Sequence, residues 1–249
     1  MKFRLRNLEE GVIRFLLFVA AFSSVLVTLG IVGILVYESI SFFRQVSIFD
    51  FLTDTQWTPL FSDARYGILP LVAGTFTTTA VAFFVAVPTG TVAAIYLSEY
   101  APHRLREGVK PVLELLSAVP TVVYGYFALL FVTPLLQKII PELPGFNMLS
   151  AGLVIGIMII PYISSLSEDA MRAVPMHIRE GSYAMGATRL QTALRVVVPS
   201  ALSGISAAYI LGFARAIGET MVVAIAAGMQ PNLTFNPLQP AETITAYIV

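Results

Sequence analysis

The chain has 249 residues, no cysteine and a formal net charge of zero; 57% of its residues are hydrophobic and only 12% charged. An ordinary soluble domain carries about 25% charge, so this composition, with a mean hydropathy of +0.81, belongs to an integral membrane protein. Zero net charge argues against a nucleic-acid binder. The lack of cysteine excludes disulfide frameworks, thiol catalysis and thiolate metal sites, and His103 and His177 stand too far apart to suggest a metal site.

The N-terminal stretch MKFRLRNLEEGVIRF begins like a signal peptide, but the charge-free run that follows, residues 15–37, is 23 residues long. That exceeds a signal core of about 7–15 residues and predicts an uncleaved membrane anchor. Crossing the hydrocarbon layer takes roughly 20 apolar residues, and four further candidates follow: part of 67–97, 115–137, 143–167 and 200–228. The last is continuous only if Arg215 and Glu219 are tolerated within it. Helices are expected, because an open sheet cannot satisfy its backbone in lipid. Pro88, Pro120, Pro134, Pro161, Gly152 and Gly156 predict kinks or close helix contacts.

With the N-terminus inside, the inner segments hold Lys2, Arg4, Arg6, Arg14, Arg104, Arg106, Lys110, Arg172, Arg179, Arg189 and Arg195, whereas Arg44, Arg65 and Lys138 lie outside. This bias predicts a cytoplasmic N-terminus. The expected organisation is an N-terminal tail and first transmembrane helix (1–43), an extracytoplasmic loop (44–66) with Trp57 as an interface anchor, and a core domain (67–228). The core includes a cytoplasmic loop at 170–199. Residues 229–249 form a second extracytoplasmic loop leading towards a sixth span, expected beyond the C-terminus. Glu168 and Asp169, at the inner end of the fourth span, are expected to be solvated.

The inner loop reads VPMHIREGSYAMGATRLQTALRVVVP. Its spacing predicts helical turns over Met176–Met185, a reversal at Gly186, and a second helix over Arg189–Val198, capped by Thr188 and ended by Pro199. Leu190, Leu194 and Val197 share an apolar face that can lie on a membrane or dock into a partner groove. An ordinary interfacial connector fits the spacing equally well. The pattern Glu180-Gly181-Ser182-x-x-x-Gly186, with Pro199 thirteen residues on, is similar to the EAA loop of ABC-transporter permeases. That resemblance implies a coupling helix docked in a cytoplasmic ATPase, with Glu180, Gly181, Gly186, Ala187 and Arg189 as coupling residues. Gly181 and Ser182 replace the usual alanines, and small residues stay small.

Arg215 and Glu219 are four apart, so they are expected on one helix face, beside the small-residue stripe Gly204, Ala208, Gly212. A charge at mid-bilayer costs at least about 2.5–3.5 kcal/mol, so the pair is expected to face protein or a wet cavity. Two readings stay open: a neutral pair stitching two helices, or an anion relay in which Arg215 attracts and Glu219 eases release. Thr75, Thr78 and Thr79 can offer hydroxyls to an anion, but more commonly such threonines back-bond to their own helix.

The string Arg215-Ala-Ile-Gly-Glu219-Thr220 closely resembles the signature of the high-affinity phosphate permeases of ATP-driven importers, the PstC/PstA family. Residues 67–102 and 117–136 resemble it too, and SEYAP, TQWTP and GETMVV look more like the PstC type. The resemblance implies an all-α integral membrane protein with the type I ABC-importer permease fold, five spans visible and a sixth to follow, in a bacterial inner membrane. It further implies Arg215, Glu219 and Thr220 on the phosphate path. The implied partners are a PstA-type permease, an ATPase dimer and an extracytoplasmic phosphate-binding protein. No phosphate-binding GxxxxGK[ST] loop occurs, so ATP and Mg are expected in the partner ATPase and no cofactor in this subunit. The rival readings are a sulfate or molybdate permease, a proton-coupled secondary transporter using Glu219, and a membrane scaffold.

Overall fold

The computed structural model describes residues 2–248, with side chains from Glu10 onward. Among them the structure is helical, with β structure limited to one isolated bridge between Trp57 and Tyr66. The chain divides into two compact units, the first ending at Leu52 and the second beginning at Thr53.

The first unit contains helix α1 (Lys2–Phe43) and the start of the short α2 (Ile48–Thr53). Every described side chain from Glu10 to Ser41 is exposed. A long helix that is apolar all round and uncovered requires lipid or another protein around it. Phe51 of α2 packs edge-on against Phe42 and Phe43 at the end of α1.

The second unit is built around α3 (Leu69–Tyr100) and α6 (Met148–Arg172), which run parallel. Their contact is made through glycine. A Cβ on Gly156 would lie 2.8 Å from the carbonyl oxygen of Ala82, and one on Gly152 2.7 Å from Cβ of Val81. Gly90, further along α3, meets Ile163 in the same way. Small residues let backbones approach where lipid offers no hydrophobic drive to association, and Ala82, Ala86, Ala151, Val154, Ile155 and Ile159 are fully buried there.

Around this pair lie α4 (His103–Ala118), α5 (Thr121–Gln137), α7 (Met176–Ala184), α8 (Arg189–Ser200), α9 (Leu202–Ile217), α10 (Met221–Ala226) and α11 (Ile244–Tyr247). Helices α1, α3 and α6 can each cross a membrane alone, and the count reaches the expected five if each bent pair, α4 with α5 and α8 with α9, is one span. A kink at Pro120 was expected, but the sizes of the bends were not legible. The expected span at 115–137 turns through 86° between α4 and α5, where Pro120 forces Val119 out of helical geometry (ψ 132°). A 74° bend separates α8 from α9, and the expected span at 200–228 is divided again after Ile217.

Three helices contain a wide π turn, at Tyr96–Tyr100, Ala128–Val132 and Ala193–Val197. The extra residue in such a turn offsets the 3.6-residue pattern. This explains why Leu190 and Leu194 are exposed while Val197 is fully buried, against the shared face expected from the sequence. Helix α8 also runs through Pro199 to Ser200, since the proline sits in the first turn of a fresh α-helical segment, where no hydrogen bond is lost.

The start of α6 satisfies all of its free backbone donors. Asn147 accepts from the Ser150 N–H at 2.7 Å. The N–H groups of Asn147, Met148 and Leu149 donate to carbonyls of Ala226, Gln239 and Pro237. The segment after α10 therefore folds back on the bundle, and its Ala241, Glu242 and Thr243 are buried. Substituting Gly156 by leucine is expected to lower stability by about 1–3 kcal/mol through overpacking, read as a reduced thermal midpoint of the purified protein. A glycine-to-alanine change at Gly181, where a Cβ meets nothing within 4 Å, is the neutral control.

Candidate functional site

Arg215 and Glu219 do not share a helix face. Helix α9 ends at Ile217, with Gly218 accepting the turn: its N–H donates to the carbonyl of Ala214 at 3.1 Å. Glycine is a poor helix former, and the two residues fall on opposite sides of this break. Glu219 is buried, and its Oε1 accepts the N–H of Val222 at 3.3 Å, capping α10. Its carbonyl accepts the Thr245 hydroxyl at 2.8 Å. No base lies within ion-pair distance of it among the described residues. Arg215 is exposed, with its guanidinium 5.8 Å from the centre of the Tyr162 ring on α6. It makes no hydrogen bond or ion pair among the described residues.

The pair is thus neither a stitch nor a joint relay in this conformation; it is a free arginine steadied by an aromatic ring and a separate buried carboxyl. The small-residue stripe does pack as expected. Gly204 sits against Ala170 and Gly212 against Ile163, so α9 runs antiparallel to α6. Thr220 is half-buried, its hydroxyl directed to the Gly218 carbonyl at 3.4 Å.

Thr75, Thr78 and Thr79 are all buried. Thr75 donates to the carbonyl of Leu71 at 2.7 Å and accepts the N–H of Ile244 at 3.2 Å, so it fastens α11 to α3. Gly74 beside it meets the backbone of Glu242, whose carbonyl oxygen would stand 2.2 Å from a Cβ. Trp57 meets Tyr66 and Tyr247 edge-on and, with Leu60, Phe61, Met229 and Glu242, lines a cavity of about 440 Å³. Burial raises the pKa of the Glu242 carboxyl above its ordinary value.

The 170–199 loop has the two-helix form read from its spacing. Gly186 takes φ +82°, a conformation that glycine adopts without strain. Thr188 and Gln191 form a reciprocal capping box at the start of α8. Ser182 and Thr192 join the two helices through their hydroxyls at 2.9 Å. Glu180, Gly181, Gly186 and Arg189 are exposed and Ala187 half-buried, so these residues form an open face. Met185 at 88% exposed and Leu190 at 56% add apolar area to it.

Glu168 corrects the expectation of a solvated end. It is fully buried, with Lys110 Nζ at 2.7 Å, Arg106 Nε at 3.4 Å and Arg172 at 3.6 Å. Asp169 remains more than half exposed and pairs with Lys110. Arg106 also donates twice to the Leu97 carbonyl. A second buried pair joins Arg179 to Glu99 at 3.0 Å. Reading the charges by loop hid these pairs, because each joins segments far apart in sequence. The one local cue was Glu168 and Arg172 at i, i+4.

The fold is that of an ABC-importer membrane subunit of type I. It aligns over 65% of the chain with 74% of a chain of the inward-facing MetNI methionine ABC transporter, at a TM-score of 0.50 and 23% identity. Residues 86–248 match the family described as "Binding-protein-dependent transport system inner membrane component", and the chain belongs to that family. It is 37% identical over 233 residues to the probable ABC transporter permease YqgH of Bacillus subtilis, covering 94% of this chain and 74% of the relative. It is 34% identical over 248 residues to the phosphate transport system permease PstC of Mesorhizobium japonicum (92% and 75%). PstC 1 of Mycobacterium tuberculosis is 36% identical over 233 residues (80% and 69%). These relatives are transport permeases, not enzymes.

Replacing Glu168 by glutamine strands three bases around a neutral amide. Removing one member of a buried pair costs about 3–5 kcal/mol. Because the bases here are partly exposed and can hydrate, the loss is expected near 3 kcal/mol, read by thermal unfolding of the purified protein. Glu242 makes stability depend on pH. Its folded pKa is raised, so the protein is favoured with this group protonated, and the advantage is lost as pH rises through the raised value. Glu242→Gln is expected to flatten the fall in thermal midpoint above pH about 4.3, the ordinary glutamate value.

Proposed function

We propose that this chain is the transmembrane permease subunit of an ATP-driven phosphate importer, of the PstC type, in a bacterial inner membrane with its N-terminus in the cytoplasm. The observation that carries the reading is the exposed, carboxylate-free guanidinium of Arg215 on a spanning helix. A lone arginine there is costly unless it faces water or a partner, and its planar fork of donors fits phosphate oxygens. The PstC relatives supply the choice of anion.

In this reading a PstA-type permease completes the pathway beside Arg215. An extracytoplasmic binding protein delivers phosphate at the end where α11 packs on α3, and an ATPase dimer holding ATP and Mg docks on the open face of α7 and α8. Glu180, Gly181, Gly186, Ala187 and Arg189 are the coupling residues. A single arginine gives contact weak enough for release. Glu219 contributes by holding α10 in place behind Arg215, and Thr220 sits at the same break. The open coupling face weighs against a proton-coupled carrier, which has no need of it.

Uptake of labelled phosphate at micromolar concentration tests this, in cells lacking their own permease and supplied with the assembled system. Arg215→Gln, at matched membrane levels, is expected to lower uptake at least ten-fold, and Arg215→Lys to fall between it and wild type because the charge remains without the fork. Equal uptake by Arg215→Gln and wild type would remove Arg215 from the path. Competition by sulfate or molybdate in place of phosphate would assign the other anion.

A further inference from the structure

The coupling face and the spanning helices are joined by one side chain. Arg179, in the first turns of α7 and 8% exposed, places its Nε and one terminal nitrogen side-on against both oxygens of Glu99, at 3.3 and 3.0 Å. Glu99 lies in the wide last turn of α3, where Ser98 also donates to Oε1 at 2.8 Å. The same guanidinium donates to the carbonyls of Met171 and Val174, at and just beyond the C-terminal end of α6, where helix carbonyls lack partners of their own. Arg179 therefore makes four hydrogen bonds to two helix ends and none to its own helix. Its neighbour Glu180 is exposed.

We propose that Arg179 is the positioning residue that passes movement of the α7–α8 loop to the ends of α3 and α6, with Glu99 as its anchor; this rests on the transport reading above. A side-on guanidinium–carboxylate pair fixes both distance and angle. Displacing α7 therefore either breaks these bonds or carries both helix ends with it. Because α3 and α6 are closely packed at Gly152 and Gly156, displacing one is expected to carry the other. Helix α6 bears Tyr162, on which Arg215 rests. The line of transmission thus runs from the open loop, through Arg179, to the neighbourhood of the anion contact. A lysine or a neutral stem of similar length leaves α7 packed by its other contacts but cannot hold the fork.

The test uses the complete assembly in proteoliposomes, with Arg179→Met, Glu99→Gln and the double variant. Four quantities are read: co-purification of the ATPase, basal ATP hydrolysis, stimulation of hydrolysis by phosphate-loaded binding protein, and phosphate uptake. Each single variant is expected to retain ATPase association and basal hydrolysis within two-fold of wild type, while stimulation and uptake fall at least ten-fold. The double variant is expected to be no worse than either single, since both remove the same link. The proposal is overturned if Arg179→Met keeps stimulation and uptake within two-fold of wild type. It is equally overturned if the losses track lost ATPase association, or if the two singles multiply in the double. Absence of phosphate uptake by the wild-type assembly would instead sink the substrate reading, and the same ratios would then be read with sulfate and molybdate.

Discussion

Helices α3 and α6 meet where glycines of α6 let α3 approach, Gly152 against the Val81 side chain and Gly156 against the Ala82 carbonyl, and the other elements of the second unit take their positions from that approach. Within lipid, dispersion contacts and shape must hold helices together without help from water. A spacing set by glycine leaves no slack for either helix to rotate. Helix α9 lies antiparallel across α6 at Gly204 and Gly212, which fixes where Arg215 emerges. Thr75 and Gly74 of α3 hold the returning segment that ends in α11.

Charge is distributed by the same logic. Carboxylates buried at one end of this pair, Glu168 and Glu99, are surrounded by bases from α4, α6 and α7, so no net charge is left uncompensated under the surface. Helix α4 shows the result most clearly. Arg106 and Lys110 point to Glu168, while Val112 and Leu115 on the other side are exposed. The exposed side also carries Arg104, Glu107 and Glu114. Arg215, Glu219 and Glu242 stand apart: one cation uncovered, and two carboxyls buried without a base among the described residues.

The apolar runs, the two-helix form of the loop, its glycine reversal and its threonine cap were all legible, because each is written in neighbouring residues. Apolar length predicts a span, Gly186 permits a left-handed turn, and Thr188 with Gln191 forms a local cap. The sizes of the bends were not legible: Pro120 predicted a kink but not a turn of 86°, nothing marked the 74° bend between α8 and α9, and the break after Ile217 was read as continuous helix. The fate of Arg215 and Glu219 followed from that: their spacing assumed an unbroken helix. The ion pairs of Glu168 and Glu99 were hidden because their partners lie as far as eighty positions away in the chain. The exposed loop residues Glu180, Gly181, Gly186 and Arg189 and the uncovered Arg215 were singled out from the sequence; the contacts of Tyr162, Arg179 and Glu99 came only from the fold.

The wide turns at Tyr96–Tyr100, Ala128–Val132 and Ala193–Val197 bear on the history of the chain as much as on its shape. Each is an α-helix holding one surplus residue. Removing that residue returns the turn to ordinary helix and leaves the segment beyond it aimed as before. Three points along the chain can therefore gain or lose a single position without turning inside out the faces that follow, even though most insertions in a helix rotate everything downstream by about 100°. One of these turns contains Glu99 and another lies inside α8. Near both, length is free to drift while the contacts that join loop to bundle keep their direction.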